Sequence, residues 1–179
     1  QDDGSVHEVF AGNLSALDVE DMTFAEVALR KGLVATIDLY RSSVPGFENA
    51  RLLTFASQLG VRDSRRITGL HQLSRDDMLS ERRFDDAIGL SGLGFSDVGQ
   101  YQIPYGSLVP ERIDGLLVAG RCICADSWAQ QAVRLIPAAM VTGQAAGTAA
   151  AMAARLGIAP RQVDPAALRS QLAEDGVIL

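Results

Sequence analysis

The stretch LLVAGR at residues 116–121 decides the fold, together with the uncharged run LIPAAMVTGQAAGTAAAMAA at residues 135–154. A turn at Asp114 and Gly115 leads into the first run, whose continuous apolar character predicts a central strand covered on both faces. A strand that ends in glycine and leads to a helix N-terminus is one way in which α/β proteins present N–H groups to an anion. Three interpretations are open here: a membrane span, a buried structural pair and a cofactor cradle.

The second run has the length of a membrane span, and Gly143 and Gly147 have the spacing of a membrane packing motif. Its polar residues and the lack of flanking aromatic anchors favour a buried soluble helix instead. Pro137 suits the first turn of that helix, and Gly157 suits its C-terminal cap. Small residues give the helix a smooth face that a backbone or a flat ligand can approach: Ala138, Ala139, Gly143, Ala146, Gly147 and Ala150.

The composition is that of an ordinary globular domain, with 179 residues, 47% hydrophobic and 21% charged. A formal net charge of -6 argues against a nucleic-acid surface, which needs clustered positive charge. The sequence begins with Gln1 and shows no charged-then-apolar leader, so we expect a cytoplasmic protein.

The cysteines and histidines exclude two further kinds of site. Cys122 and Cys124 are too close in sequence to join distant segments, which excludes a disulfide scaffold. His7 and His71 are far apart, so no ligand spacing supports a zinc site.

The N-terminal half contains signals for one long helix and a pair of strands. Thr23 and Glu26 form a capping-box pattern, which predicts a helix over about residues 24–42. Pro45 and Gly46 then break the helix. Residues 50–74 are interpreted as two strands around a polar centre at Arg62, Asp63 and Ser64.

Three shorter elements complete the chain. Ser74 followed by two aspartates predicts a short helix over residues 74–82, and Asp164 caps a last helix over residues 165–174. Residues 86–110 contain five glycines and two prolines. We interpret them as short strands and loops bordering a site, or as a plain connecting loop.

Three motifs carry a family resemblance. LLVAGR, the following VR pair and GQAAGTAAA closely resemble the C-terminal signature of the FAD-dependent oxidoreductase family. GVRDSRRITG at residues 60–69 and IPYGSLVP at residues 103–110 are similar to two further signatures of that family, in the same order. The resemblance covers nearly the whole chain and implies FAD as the cofactor.

The resemblance also implies an α/β fold class, namely the C-terminal part of a two-domain FAD-binding flavoprotein fold. Residues 1–113 would be a segment of the substrate or cap domain, with the long helix and the strand pair. Residues 114–158 would supply the closing strand and helix of the FAD-binding domain, and residues 159–179 a C-terminal helix.

For the cofactor, the resemblance implies two contact regions. The end of the LLVAGR strand would approach the ribityl-pyrophosphate part of FAD. The start of the following helix would contact the flavin, where its positive end stabilises the negative charge of the reduced ring. The implied cofactor-binding residues are Ala119, Gly120, Arg121, Leu135, Ile136, Pro137 and Ala138.

For catalysis, Arg134 matches an arginine that faces the substrate in more distant flavoproteins, and its structural alternative is an ion pair. His71 is a candidate for proton transfer, as are Tyr101 and Tyr105, although a lone histidine is more often structural. We therefore name Arg134 and His71 as the candidate catalytic residues.

For the substrate, the candidates are Arg62, Arg65, Tyr105 and Trp128. The arginines, with Arg66, would form a cationic wall near the flavin, or they would pair with carboxylates such as Asp63 and Asp86. Trp128 would cover a substrate or pack against the strand. Cys122 is expected to have a packing role, with a redox Cys-x-Cys pair as the alternative.

One expected part of an FAD site is missing from the sequence. No G-x-G-x-x-G follows a strand, although this motif normally holds the ADP half of FAD. We therefore expect a C-terminal part or subunit of an oxidoreductase that transfers hydride from a small organic substrate to flavin N5. A further segment or a partner chain would supply the missing motif. The rival hypothesis is a non-catalytic binding or assembly subunit that keeps the fold.

Overall fold

The computed structural model describes residues 14–92 and 99–179. The chain divides into two compact units, Gln1–Ser64 and Arg65–Leu179, and each is described by itself. His7 and residues 93–98 of the glycine-rich segment lie outside the described residues. The three-segment domain organisation expected from the family resemblance stays a prediction.

The first unit contains one long helix, α1 (Val19–Ser43). The predicted helix is confirmed, but the predicted capping box is wrong. Asp18 caps the helix by accepting hydrogen bonds from the N–H groups of Glu20 and Asp21, at 2.8 and 3.1 Å. These two acidic residues suit the positive helix end, so the helix begins earlier. Thr23 lies inside it and donates to Val19 O at 2.7 Å.

The two strands predicted over residues 50–74 are absent from the described structure. In the first unit, the apolar side chains that suggested them, Leu52, Leu53 and Phe55, are exposed. In the second unit, residues 65–73 form only two isolated bridges, Gly69 with Pro110 and Leu73 with Ala125. The N–H groups of residues 67–73 bond carbonyls of two segments, residues 106–109 and 122–124, rather than those of one neighbouring strand.

The second unit begins with a short helix, α2 (Arg75–Leu79), which confirms the prediction. Ser74 and Asp77 form a reciprocal capping box at its N-terminus. Two strands follow, β1 (Ala87–Ser91) and β2 (Tyr101–Pro104), and they pair antiparallel. The short strands predicted in the glycine-rich segment are therefore confirmed.

The segment at residues 116–119 is extended but is not a strand, so the predicted central strand is wrong. Val118 donates its N–H to Leu108 O at 2.9 Å, and no described strand pairs with the segment. A central strand needs a neighbour on each side, and the described sheet has only β1 and β2. Leu116 is 44% exposed, which contradicts burial on both faces.

Three helices complete the unit: α3 (Ala129–Val133), which the sequence did not reveal, α4 (Ile136–Leu156) and α5 (Pro165–Glu174). Pro137 lies in the first turn of α4, and Gly157 ends it in the left-handed conformation with φ 68°. Asp164 caps α5. These predictions are confirmed.

The helices α4 and α5 pack against each other and against β1. The hydrophobic core between them includes Ile88, Ile103, Ala145, Leu168 and Leu172, all fully buried. This mixed helical and two-stranded structure is compatible with the α/β class. None of the helices in the described part of the chain combines the length and the apolar character that a membrane span requires.

Candidate functional site

Gly120 is fixed against α4 by one buried side chain. Its N–H donates to Thr142 Oγ1 at 2.9 Å, and that hydroxyl donates to Ala138 O at 2.8 Å. Thr142 is fully buried. Gly120 has φ 71°, in the left-handed region that favours glycine, and an added Cβ would reach only Ala139 Cβ, at 4.0 Å. The backbone conformation, and not crowding, therefore requires glycine here.

The N-terminus of α4 carries an uncompensated positive end. Leu135 occupies the cap position without a side-chain hydrogen bond, and the first turn contains no acidic residue. The N–H groups of Ile136 and Ala138 have no acceptor within the helix, because the first turn lacks preceding carbonyls. Ile136 is 77% exposed. This end of α4 therefore suits a negatively charged group.

The predicted cofactor residues thus come together from two segments. The turn Gly120–Cys122 contacts both α3 and α4. Arg121 lies in that turn and is exposed. Arg134 caps the C-terminus of α3, and Leu135 alone separates it from α4. Arg134 is half-buried and donates its backbone N–H to Gln130 O at 3.1 Å.

The candidate arginines near Ser64 belong to different units. Arg62 lies in the first unit and Arg65 in the second, and both are exposed. Arg66 donates to Ala125 O at 2.8 Å and to Ser127 Oγ at 3.1 Å. Arg66 thus braces the loop before α3.

His71 lies in a network at the start of α2. Its Nε2 is 3.6 Å from Asp77 Oδ2, and its ring meets that of Phe84 edge-on, at 5.0 Å between centroids. Burial raises the pKa of Asp77, but hydrogen bonds from Ser74 and Arg82 outweigh that effect and lower it overall. Asp77 is therefore a carboxylate at neutral pH, while Nε2 of His71 is buried and has no hydrogen-bond partner among the described residues.

The two aromatic substrate candidates differ in accessibility. Tyr105 is 4% exposed, its hydroxyl donates to Pro160 O at 2.8 Å, and burial raises its pKa to about 12. This phenol is committed to an internal contact. Trp128 is half-buried, and the guanidinium of Arg75 lies over its ring, 5.3 Å from the centroid. Burial also raises the pKa of Tyr101, the other proton-transfer candidate.

The two cysteines are free thiols. Cys122 is half-buried, with Sγ 3.8 Å from Ala119 O, and Cys124 is buried. A Cβ added to Gly69 would lie 2.8 Å from Cys124 Cβ, so Cys124 packs closely against the backbone. Within residues 14–92 and 99–179, no three His, Cys, Asp or Glu side chains are arranged to hold a metal ion.

The sequence reasoning missed Thr142 as part of this site. Thr142 is one of three uncharged polar residues in the apolar helix, with Gln144 and Thr148, and it differs from them in being fully buried, which the sequence does not reveal.

A comparison with protein families matches residues 3–172 to the model described as FAD dependent oxidoreductase. The chain belongs to this family. The flavoprotein oxidoreductase class predicted from the motifs is thereby confirmed, and the family implies FAD as the cofactor. Searches among curated proteins and among solved structures find no match.

The residues of the site fit the anionic parts of FAD. An uncapped and exposed helix N-terminus provides N–H donors and positive potential. The left-handed Gly120, bonded to Thr142 in the second turn of the same helix, exposes backbone without a side chain. These features belong to residues that the family resemblance had assigned to the cofactor.

Proposed function

We propose that this chain is the C-terminal part or a subunit of an FAD-dependent oxidoreductase that oxidises a small organic substrate. A further segment or a partner chain would supply the G-x-G-x-x-G motif. The observation that carries the proposal is the hydrogen bond by which Gly120 is held on Thr142, in the second turn of a helix whose N-terminus is uncapped, within a chain that belongs to the family.

In this proposal the backbone at Ala119 and Gly120 lies along the cofactor, and the N–H group of the exposed Ile136 faces its negative charge. When bound, FAD supplies a two-electron acceptor that takes hydride at N5. The positive end of α4 stabilises the charge that the cofactor gains on reduction. Arg121 extends from the same turn and binds a phosphate or ribityl oxygen.

The substrate lies on the Arg134 side of the site. Arg134 sits at the junction of α3 and α4, where its guanidinium orients a polar or anionic group of the substrate. Trp128, steadied by Arg75, covers the bound substrate and excludes water. His71, whose Nε2 lies 3.6 Å from Asp77 Oδ2, is the candidate for proton transfer. Tyr105 has no part in this scheme, because its hydroxyl is buried and bonded to Pro160.

The helix end can be tested by a change that separates cofactor binding from folding. In Ile136→Glu, a carboxylate at the first position of α4 stabilises the helix by about 0.3–1 kcal/mol. The same charge repels an anionic ligand, and we expect the dissociation constant for FAD to rise about five- to tenfold. Ile136→Gln is the control for the change of side chain, because glutamine has nearly the size of glutamate but no charge. Leu156→Glu places the charge at the opposite end of the helix.

The measurement is FAD affinity and thermal unfolding of the native assembly, with flavin absorbance as the direct readout. The proposal is supported if Ile136→Glu, and neither of the other two variants, binds FAD more weakly while its thermal stability is unchanged or higher. Equal FAD affinity in all three variants, or a native assembly without flavin, contradicts it. If the partner chain has a complete FAD site and Arg134→Ala leaves turnover unchanged, the non-catalytic subunit is the better explanation.

A further inference from the structure

We propose that Arg161 is a positioning residue for the FAD site, which it serves by holding the turn that leads into residues 116–120. This inference rests on the proposed function. Arg161 lies outside the motifs that carry the family resemblance and outside every helix and strand of the site.

The side chain of Arg161 forms hydrogen bonds to several backbone carbonyls of one turn. Its Nη2 donates to Pro110 O at 2.8 Å, to Glu111 O at 3.2 Å and to Ile113 O at 3.3 Å. Its Nε forms an ion pair with Asp114. A planar guanidinium suits this task because its donors are fixed relative to one another.

The turn needs such a contact, because packing does not hold it. Residues 111–116 are all exposed and form no helix or strand. Gly115 adopts φ 72°, and an added Cβ there would meet nothing within 4 Å. Before the turn, Glu111 donates its N–H to Thr68 O at 2.9 Å; after it, Val118 bonds Leu108. Arg161 contacts the stretch between these two points.

Arg161 itself starts from a fixed base. It belongs to the short turn Pro160–Gln162. Tyr105 donates its hydroxyl to Pro160 O at 2.8 Å, and Gln162 Oε1 accepts the N–H of Ala159 at 3.0 Å. Val163, the next residue, is buried. In this inference the guanidinium therefore holds the turn in a fixed position relative to the core, and the turn thereby positions Ala119 and Gly120.

The chain offers a matched control for this role. Arg169, on α5, also donates to carbonyls of an irregular turn, with Nη1 3.0 Å from Phe84 O and 3.4 Å from Asp85 O. That turn leads into β1 and not into the proposed FAD site. Arg161→Met and Arg169→Met thus remove the same kind of contact, and only the first should release the segment that ends at Gly120.

The test measures FAD affinity of the native assembly together with amide hydrogen exchange of residues 111–120. For Arg161→Met we expect an FAD dissociation constant about tenfold higher and faster exchange in that segment. Arg169→Met should leave both unchanged, even where the two variants lose similar thermal stability. Arg161→Lys keeps the positive charge but lacks the planar set of donors, and its FAD affinity should lie between those of Arg161→Met and the wild type.

Equal FAD affinity in wild type and Arg161→Met overturns the positioning role and leaves the proposed function standing. An equal loss in Arg169→Met also overturns it, because the effect would then be general destabilisation. A wild-type assembly that binds no FAD overturns the proposed function itself. If Arg161→Met does not fold, affinity and exchange in Arg161→Lys decide, and wild-type values there overturn the role.

Discussion

Replacing Thr142 by valine tests how Gly120 is held on α4. Valine keeps the branched shape of threonine but has a methyl group in place of the hydroxyl. The hydroxyl accepts the N–H of Gly120 at 2.9 Å and donates to Ala138 O at 2.8 Å, in a fully buried position. The substitution therefore removes one acceptor and one donor without opening a large cavity.

The two lost hydrogen bonds of Thr142 differ in cost. Ala138 O keeps its acceptor role in the helix, so losing the hydroxyl donor costs little. The N–H of Gly120 is left facing a methyl group, and an unpaired donor of this kind costs about 1–3 kcal/mol. With a central value of about 2 kcal/mol, and about 4 °C per kcal/mol at this chain length, we expect the unfolding midpoint to fall by about 8 °C.

The assay is thermal unfolding and FAD titration of the assembly, with Thr148→Val as the control. Thr148 lies further along α4 and is half-buried. Thr148→Val therefore makes the same Thr-to-Val change in the same helix, away from Gly120. We expect Thr142→Val also to weaken FAD binding, because the backbone at Gly120 loses its fixed partner. If Thr142→Val and Thr148→Val have the same unfolding midpoint and the same FAD affinity, the anchoring role of Thr142 is refuted.

Two pH-dependent predictions follow from the perturbed groups. Asp77→Asn should lower stability by about 1–2 kcal/mol at neutral pH. The wild-type carboxylate has a lowered pKa, so its contribution is present above pH 3.8 and disappears as the pH falls through the lowered pKa. The stabilities of wild type and Asp77→Asn should therefore become equal at acidic pH. Urea unfolding across acidic pH measures this, with Asp76→Asn, at an exposed position, as the control. Burial raises the pKa of Tyr105 to about 12, so the folded chain keeps a proton that the unfolded chain releases near pH 10. Stability should fall between about pH 10 and 12, and Tyr105→Phe should show a smaller fall; an equal fall would contradict this role of Tyr105.

The helices α2, α4 and α5 of the second unit were predictable because their signals are local. Ser74, Asp164, Pro137 and Gly157 each act on the backbone within one turn of their own position. In the first unit, a local signal of the same kind led to the wrong N-terminus for α1. Thr23 and Glu26 have a capping-box spacing, but Asp18 is an equally good cap and lies earlier in the chain.

The extended segments were less predictable, because a strand is defined by its neighbour. Residues 116–119 have the composition of a buried strand, yet their described partner is a single carbonyl, that of Leu108. The site shows the same limit. The motifs indicated Gly120 and the start of α4, but no sequence pattern joins Arg161 to the carbonyls of residues 110–113, because that contact spans about 50 residues.

The open glycines of α4 have a consequence for any attempt to make this protein more robust. Gly143 and Gly147 lie inside the helix, exposed, and an added Cβ at either position would meet nothing within 4 Å. Alanine at each would stabilise the isolated chain by about 0.5–1 kcal/mol. A screen that rewards heat resistance of the chain alone would therefore select against the smooth surface that permits close backbone approach. Under the proposed function, stabilised variants should therefore be selected for retained FAD binding as well as for heat resistance.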